Sequence, residues 1–238
     1  MNSDSGEEKM QDRNPKDLQS TIDEKYTVKI GDYISQGWRI FKKSPGLLIT
    51  HSVVFTVTIV MISWIAEVLK EIVGPYHGTS VERAIASGAS YTITPILLAG
   101  FVIGCLLLKK EQKLRFNDFF LGHKYILPLC YSTIFSQGLI IIGLLLFVIP
   151  GIYLLIGYLF VLPLIVDRDL NYWSAMETSR KIITKQWFLF FALYLLLSLI
   201  NIAGLLLCGV GLLVTIPVTY GTIIAAYDDI IGIQKMQF

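Results

Sequence analysis

The chain has 238 residues, of which 54% are apolar, and its mean hydropathy is +0.62. This composition leaves too little polar surface to cover a soluble domain of that size. The formal net charge is only +2, so no overall positive charge is available to attract nucleic acid. The charged residues stand in clusters between long uncharged runs, which predicts a membrane protein rather than a soluble enzyme.

The chain begins with a polar segment. The first 25 residues consist mainly of Asp, Glu, Ser, Asn and Lys and have no apolar core of the kind that a signal peptide requires. We expect residues 1–25 to form a disordered polar tail. Residues 26–44 are expected to form an amphipathic helix at the membrane interface, and residues 45–238 a transmembrane domain.

Four long runs contain no Asp, Glu, Lys or Arg, and they span residues 44–66, 84–108, 125–166 and 186–227. Because about 20 helical residues cross roughly 30 Å of hydrocarbon, the first two runs hold one span each and the last two hold two each. Pro150-Gly151 and Gly209-Val210-Gly211 provide turns in the middle of the longer runs. The six predicted spans cover residues 46–66, 91–108, 125–148, 151–166, 187–207 and 210–227, with an outer loop at about residues 67–90.

The fold class predicted from these runs is an all-α, polytopic membrane helical bundle. Its six transmembrane helices form three hairpins, each preceded by a cytoplasmic interfacial amphipathic helix. Six spans place both termini on one side of the membrane, and that side then receives 18 of the 20 Lys and Arg residues. The other side receives only Lys70 and Arg83. The excess of basic residues predicts that both termini are cytoplasmic.

Helical periodicity marks an apolar and a basic face before the first and fifth spans, and residues 117–121 form a shorter version before the third. The aromatic rings would lie at the level of the lipid headgroups while the cationic side chains reach anionic lipid. These helices either set the depth and tilt of the bundle or recognise lipid specifically. The side chains expected to contact the membrane surface are Trp38, Arg39, Lys42, Lys43, Trp173, Arg180, Lys181 and Lys185.

The last two hairpins look like a tandem duplication. The segments 124–167 and 185–228 are related by a shift of 61 residues and are each bounded by Lys and Asp. At the same shift, Gly143-Leu144-Leu145-Leu146 recurs as Gly204-Leu205-Leu206-Leu207. Each unit has an even number of spans, so the repeats are predicted to be parallel, unlike the inverted repeats of many secondary transporters.

A few residues within the spans are candidates for a site. His51, Gln137 and Asn201 are polar side chains that need partners inside a membrane. They either form interhelical hydrogen bonds that hold the bundle together or line a small polar cavity for a solute. Gly100 and Gly104 form a G-x-x-x-G pattern, which predicts close helix packing within the chain or in a dimer.

Motifs of known chemistry are missing from the sequence. There is no P-loop, H-E-x-x-H or G-x-S-x-G pattern, and the three histidines and three cysteines have no metal-ligand or disulfide spacing. We therefore predict no catalytic residue, no cofactor and no metal. At the cytoplasmic ends of the spans, acidic side chains face a region rich in Lys and Arg, where either ion pairs or a cation or headgroup site would form. These acidic residues are Asp167, Asp169, Asp228 and Asp229.

Several segments resemble one group of bacterial proteins. These segments are Tyr33-Ile34-Ser35-Gln36-Gly37-Trp38-Arg39-Ile40-Phe41-Lys42-Lys43-Ser44-Pro45, Phe116-Asn117-Asp118-Phe119-Phe120-Leu121-Gly122, Leu162-Pro163-Leu164-Ile165-Val166-Asp167 with Trp173-Ser174-Ala175-Met176-Glu177-Thr178-Ser179, and Tyr227-Asp228. Over residues 30–230 or so, the chain is similar to poorly characterised six-span membrane proteins of the YciC type and to the membrane domain found beside some glycerophosphodiester phosphodiesterases. The resemblance implies a helical bundle in the bacterial cytoplasmic membrane with a role in envelope upkeep. It brings no catalytic residue, and no phosphodiesterase domain is attached here.

These observations predict a non-enzymatic scaffold or a protein that organises the envelope or its lipids. The expected partners are membrane lipids and either another membrane protein or further copies of the chain, but not nucleic acid. The alternative is a small transporter or permease for a small solute or lipid, suggested by the prolines within the spans and by the repeat. The scarcity of ionisable residues in the spans does not favour ion-coupled transport.

Overall fold

The computed structural model of the protein describes residues 18–23, 25–73, 78–207 and 209–234. These ranges form ten α-helices and one 3₁₀ helix and contain no strand, so the prediction of an all-α protein is confirmed for them. The α-helices are α1 (Leu18–Asp23), α2 (Ile30–Lys43), α3 (Pro45–Val73), α4 (Gly78–Lys109), α5 (Ile126–Leu146), α6 (Val148–Gly157), α7 (Val161–Arg168), α8 (Tyr172–Thr184), α9 (Trp187–Leu206) and α10 (Leu212–Ile230), and the 3₁₀ helix is Phe116–Tyr125.

Within the described ranges, five segments are long and apolar enough to cross a membrane. They are Pro45–Ile65, Thr92–Lys109, Phe116–Leu146, Val148–Arg168 and Trp187–Leu206, and they coincide with the first five predicted spans. The sixth predicted span, residues 210–227, forms α10. Helix α10 is not among the five because Pro217, several threonines and two terminal aspartates lower its mean hydropathy.

Helices α3 and α4 are longer than predicted. An outer loop is expected at about residues 67–90, but α3 continues to Val73 and α4 begins at Gly78. A run of apolar residues identifies only the part of a helix that can lie in hydrocarbon. The backbone hydrogen bonds of the same helix continue through the charged turns beyond that run. The expected outer loop is therefore mostly helical.

The fourth predicted span is interrupted. Helix α6 ends at Gly157 and α7 begins at Val161, so residues 158–160 separate two short helices. Pro163 accounts for the interruption, because it has no N–H to offer the carbonyl of Leu159 and its ring would clash with that carbonyl in a continuous helix.

The polar tail expected at residues 1–25 falls largely outside the described residues. Its last part, however, forms α1, which packs against α8. Leu18 and Ile22 of α1 are partly buried against the apolar core. The folded part of the chain therefore begins earlier than predicted.

The apolar core is centred on α4 and α10. Every residue from Phe101 to Leu108 in α4 is buried, as are ten residues of α10. The 3₁₀ helix and helices α2, α3, α5, α7 and α9 contact one or both members of this pair, and α3, α5 and α9 have exposed apolar stripes. In α3, for example, Val53, Val57, Val60 and Trp64 are all more than 40% exposed. Exposed apolar stripes of this length are unfavourable in water and are typical of lipid-facing helices.

Candidate functional site

Polar side chains from four separate parts of the chain meet at one end of the bundle, which we call the charged end. Lys109 at the end of α4 lies 3.3 Å from a carboxylate oxygen of Asp228 and donates a hydrogen bond of 2.5 Å to Gln36 in α2. Beside this pair, the Tyr33 hydroxyl donates to Asp229 at 2.8 Å. Burial, together with this hydrogen bond, raises the pKa of Tyr33. Polar contacts thus join α2, the end of α4 and the end of α10.

A second cluster at the charged end is built on Asp167, whose side chain is fully buried. Its carboxylate accepts hydrogen bonds from the Tyr227 hydroxyl at 2.8 Å and from the backbone N–H of Gln234 at 3.0 Å. Arg168 Nε lies 3.3 Å from the same carboxylate in an ion pair without hydrogen-bond geometry. The guanidinium of Arg168 also donates to the carbonyl of Gly232 at 2.9 Å. A buried carboxylate is stable only with such partners, which fix its surroundings.

The residues that follow α10 form a strap, residues 231–234, held by two aspartates. Asp167 accepts from Gln234 N, and Asp228 accepts from Ile233 N at 3.3 Å. Asp167 and Asp228 are separated by the 61-residue shift of the predicted repeat. The two positions thus serve related purposes at the ends of α7 and α10.

Helix α2 presents its apolar face to α10. Tyr33, Gly37, Ile40 and Phe41 are its buried residues. A Cβ atom at Gly37 would lie 2.7 Å from the backbone nitrogen of Thr222, so only glycine permits this crossing. The apolar face of this amphipathic helix is therefore covered by protein, chiefly by α10.

The predicted surface residues of α2 lie away from α10. Trp38 is 43% exposed and lies beneath the ammonium of Lys42, which is 5.6 Å from its ring. Arg39 is also exposed. Lys43 donates to the carbonyl of Leu108 at 3.0 Å at the end of α4. Trp38, Arg39 and Lys42 together form an exposed aromatic and basic surface.

Helix α8 is also half-embedded in the bundle, with Ala175, Met176, Ser179, Ile182 and Ile183 buried. Its predicted surface residues have different surroundings. Trp173 is 57% exposed, and Lys181 forms a 2.8 Å ion pair with Glu177 that lowers the pKa of that carboxyl. Arg180 lies beside Gly157, and Lys185 is exposed.

Ser179 of α8 bridges the interruption in the fourth span. Its hydroxyl donates to the carbonyl of Gly157 at 2.6 Å and accepts from the backbone N–H of Phe160 at 3.1 Å. These two backbone groups lose their helical partners at the interruption. A single side chain thus satisfies both of them in the buried interior. The sequence analysis does not predict this role for Ser179. The available signal is that a serine lies on the apolar face of α8, where a polar side chain needs a partner.

His51 and the glycines of the G-x-x-x-G pattern lie in one cluster. The His51 side chain is fully buried, and its Nε2 forms a 2.9 Å hydrogen bond with the carbonyl of Leu97. Phe119 from the 3₁₀ helix stacks on the imidazole with centroids 4.3 Å apart. A Cβ atom at Gly100 would lie 2.5 Å from the Phe119 carbonyl oxygen, and one at Gly104 would lie 2.7 Å from the Phe119 ring. The two glycines therefore make room for the 3₁₀ helix within the same chain.

The structure does not bring His51, Gln137 and Asn201 together. Asn201 of α9 donates to the Thr219 hydroxyl of α10 at 2.9 Å, while Gln137 is exposed on α5. Among the described residues, no hydrogen bond joins any two of these three side chains. His51 and Asn201 each form a hydrogen bond with a neighbouring helix, which agrees with the first of the two alternatives. These contacts do not support a polar cavity shared by the three side chains.

Glycines allow close approach near two helix junctions. A Cβ atom at Gly143 of α5 would lie 3.0 Å from Gly151 of α6. A Cβ atom at Gly211, just before α10, would lie 2.6 Å from Gly204 of α9. Of these glycines, only Gly143 and Gly204 are related by the 61-residue shift, whereas Leu212 stands 61 residues after Gly151.

Within the residues that the structure describes, no group of three or more His, Cys, Asp or Glu side chains is arranged to hold a metal ion. No protein-family model, curated protein or solved structure matches the chain. The charged end, with the exposed basic surface of α2 beside it, is the most extensive polar arrangement in the described bundle.

Proposed function

We propose that this chain is a multi-pass protein of a bacterial cytoplasmic membrane, with six spans in three hairpins and both termini in the cytoplasm. The charged end carries this proposal. It joins α2, the end of α4, the end of α7 and the end of α10, which are the segments that six crossings would place on one side. Their basic residues would then lie in the cytoplasm.

Helix α10 serves as the sixth span in this proposal despite its lower hydropathy. Helices α2, α3, α4 and α9 pack against it, and ten of its residues are buried by protein. A span surrounded by other helices tolerates proline and threonine, because neighbouring groups rather than lipid surround its backbone and hydroxyls. Thr219, for example, accepts a hydrogen bond from Asn201.

We further propose a non-enzymatic role in which the bundle acts as a scaffold for envelope components or organises membrane lipids, in keeping with the resemblance to YciC-type proteins. The contact surface is the exposed aromatic and basic surface of α2 beside the charged end. Its chemistry suits anionic lipid and the acidic surface of a membrane protein, including a second copy of the chain. Nucleic acid is not an expected partner.

Affinity purification from native membranes tests the scaffold. The wild-type chain should retain a reproducible protein or lipid, and the Arg39→Gln, Lys42→Gln variant should lose it. A Lys25→Gln, Lys70→Gln variant removes the same charge elsewhere and should retain the partner. Absence of any component enriched over an unrelated six-span protein would overturn the proposal, as would equal retention by the two variants.

A transporter is the second candidate function, and the interrupted fourth span favours it. Discontinuous helices often surround the substrate site of a transporter, because an unwound backbone offers free polar groups. Here Ser179 already satisfies the groups at residues 157 and 160. Reconstituted vesicles would show solute flux above that of protein-free vesicles if this function is correct, and no flux across a broad solute panel would contradict it.

A further inference from the structure

An open pocket lies at the charged end between the start of α3 and the segment that follows α4. Its volume is about 460 Å³, and its walls are formed by Lys43, Ser44, Leu108, Glu111, Gln112, Lys113 and Leu114. Sites for small ligands commonly have volumes of roughly 300–1,000 Å³. The pocket is therefore large enough for a phosphate with a glycerol moiety.

The position of the pocket relates it to the membrane surface. The apolar part of α3 starts at Pro45, directly after Ser44, and the apolar part of α4 ends at Lys109, directly after Leu108. The pocket thus lies where two spans end, at the depth of lipid headgroups. Leu114, which is partly buried, contributes apolar surface to the lining, and this suits the glycerol and the first carbons of acyl chains.

The charge of the pocket suits an anion. Its lining includes two basic residues, Lys43 and Lys113, and one acidic residue, Glu111. Lys43 lies 3.4 Å from Glu111, whose side chain is 73% exposed. An ion pair this exposed is weak and rearranges readily, so Glu111 can turn to solvent when a stronger acceptor arrives. The Ser44 hydroxyl and the Gln112 amide add neutral hydrogen-bond donors.

We propose that this pocket binds the phosphate group of an anionic phospholipid from the cytoplasmic leaflet. Lys43 and Lys113 pair with the phosphate, while Leu114 contacts the glycerol backbone. The neighbouring Trp38 and Lys42 place an aromatic ring and a further positive charge at the same interface. This inference rests on the proposed membrane orientation and adds a defined lipid site to it.

The test uses the full chain in nanodiscs and measures the association of spin-labelled phosphatidylglycerol relative to phosphatidylcholine. A lysine at a membrane surface contributes about fivefold in affinity, so the Lys43→Gln, Lys113→Gln variant should reduce the relative association constant by about 30-fold. A Lys25→Gln, Lys70→Gln variant removes the same charge elsewhere and should change it much less. Equal melting temperatures of both variants and the wild type establish that the fold is retained.

Separate outcomes identify the ligand source. Equal losses in the two variants would overturn the pocket in favour of diffuse attraction. Inorganic phosphate that binds in purely zwitterionic nanodiscs and is lost in the Lys43→Gln, Lys113→Gln variant, without any lipid preference, would overturn the lipid source. If the chain inserts with both termini on one side but shows no lipid preference, only this inference fails. If it does not insert in that arrangement, the proposed function fails as well.

Discussion

Removing the Ser179 hydroxyl should destabilise the bundle, because that one oxygen satisfies two backbone groups at the interruption between α6 and α7. Its distances are 2.6 Å to the carbonyl of Gly157 and 3.1 Å to the nitrogen of Phe160. The usual helical alternatives are already used elsewhere, since the N–H of Val161 donates to Tyr158 instead of Gly157. In the Ser179→Ala variant, both groups remain buried without a partner.

The expected loss in the free energy of unfolding follows from the cost of burying backbone groups without hydrogen-bond partners. A buried donor or acceptor that loses its partner costs about 1–3 kcal/mol, so two of them give roughly 2–6 kcal/mol. Alanine introduces no steric strain, because it differs from serine only by the missing oxygen. The whole loss in the free energy of unfolding is therefore assigned to the two backbone groups.

Unfolding in mixed micelles with increasing SDS measures this loss. The matched control is Ser174→Ala on the same helix, where the backbone N–H, not the hydroxyl, makes the capping bond to Asn171. We expect the control to change the free energy of unfolding by less than about 0.5 kcal/mol. A loss for Ser179→Ala as small as that of the control would refute the assignment.

Three further predictions concern close contacts. Gly37→Ala should destabilise the fold by about 1–3 kcal/mol, since its new methyl group would meet the backbone of α10, whereas Gly31→Ala on the same helix faces open space and should cost nothing in the same SDS titration. Gly100→Ala should be similarly destabilising and Gly138→Ala neutral; equal melting temperatures of these two variants would show that the 3₁₀ helix does not pack as described. Tyr33→Phe should lower the free energy of unfolding by about 1–2 kcal/mol through loss of its hydrogen bond to a carboxylate, and an unchanged value would contradict a stable contact between α2 and the end of α10.

Apolar runs predicted the third and fifth spans to within a few residues, as comparison with α5 and α9 shows. In both helices a charged or polar residue stands close to the point where the apolar run starts. The same reasoning placed the end of the first span at residue 66, next to Ile65, where the apolar segment ends, but helix α3 continues to Val73 because helical hydrogen bonding does not stop where the apolar run stops. The hydropathy of residues 67–73 gives no indication that α3 continues to Val73.

The packing of the interfacial segments could not be predicted in the same way. Periodicity located the apolar faces of α2 and α8, but not whether lipid or protein covers them. Gly37 in α2 was the available signal, because a glycine in a helix often marks a close approach. Likewise, Phe119 gave no indication that it stacks on His51, since contacts between distant parts of the chain leave no local pattern.

The central claim, that α10 crosses the membrane and leaves both ends of the bundle on the cytoplasmic side, is tested most directly by cysteine accessibility. Single cysteines would be placed at Ile149, near the junction of α5 and α6, and at Val210, between α9 and α10, where both native side chains are exposed, and also at Lys113 and Gln234 of the charged end, in a chain without its natural cysteines. With a membrane-impermeant maleimide, we expect labelling of the first pair in right-side-out vesicles and of the second pair in inside-out vesicles. Labelling of position 234 together with position 210 from the same side would contradict the claim.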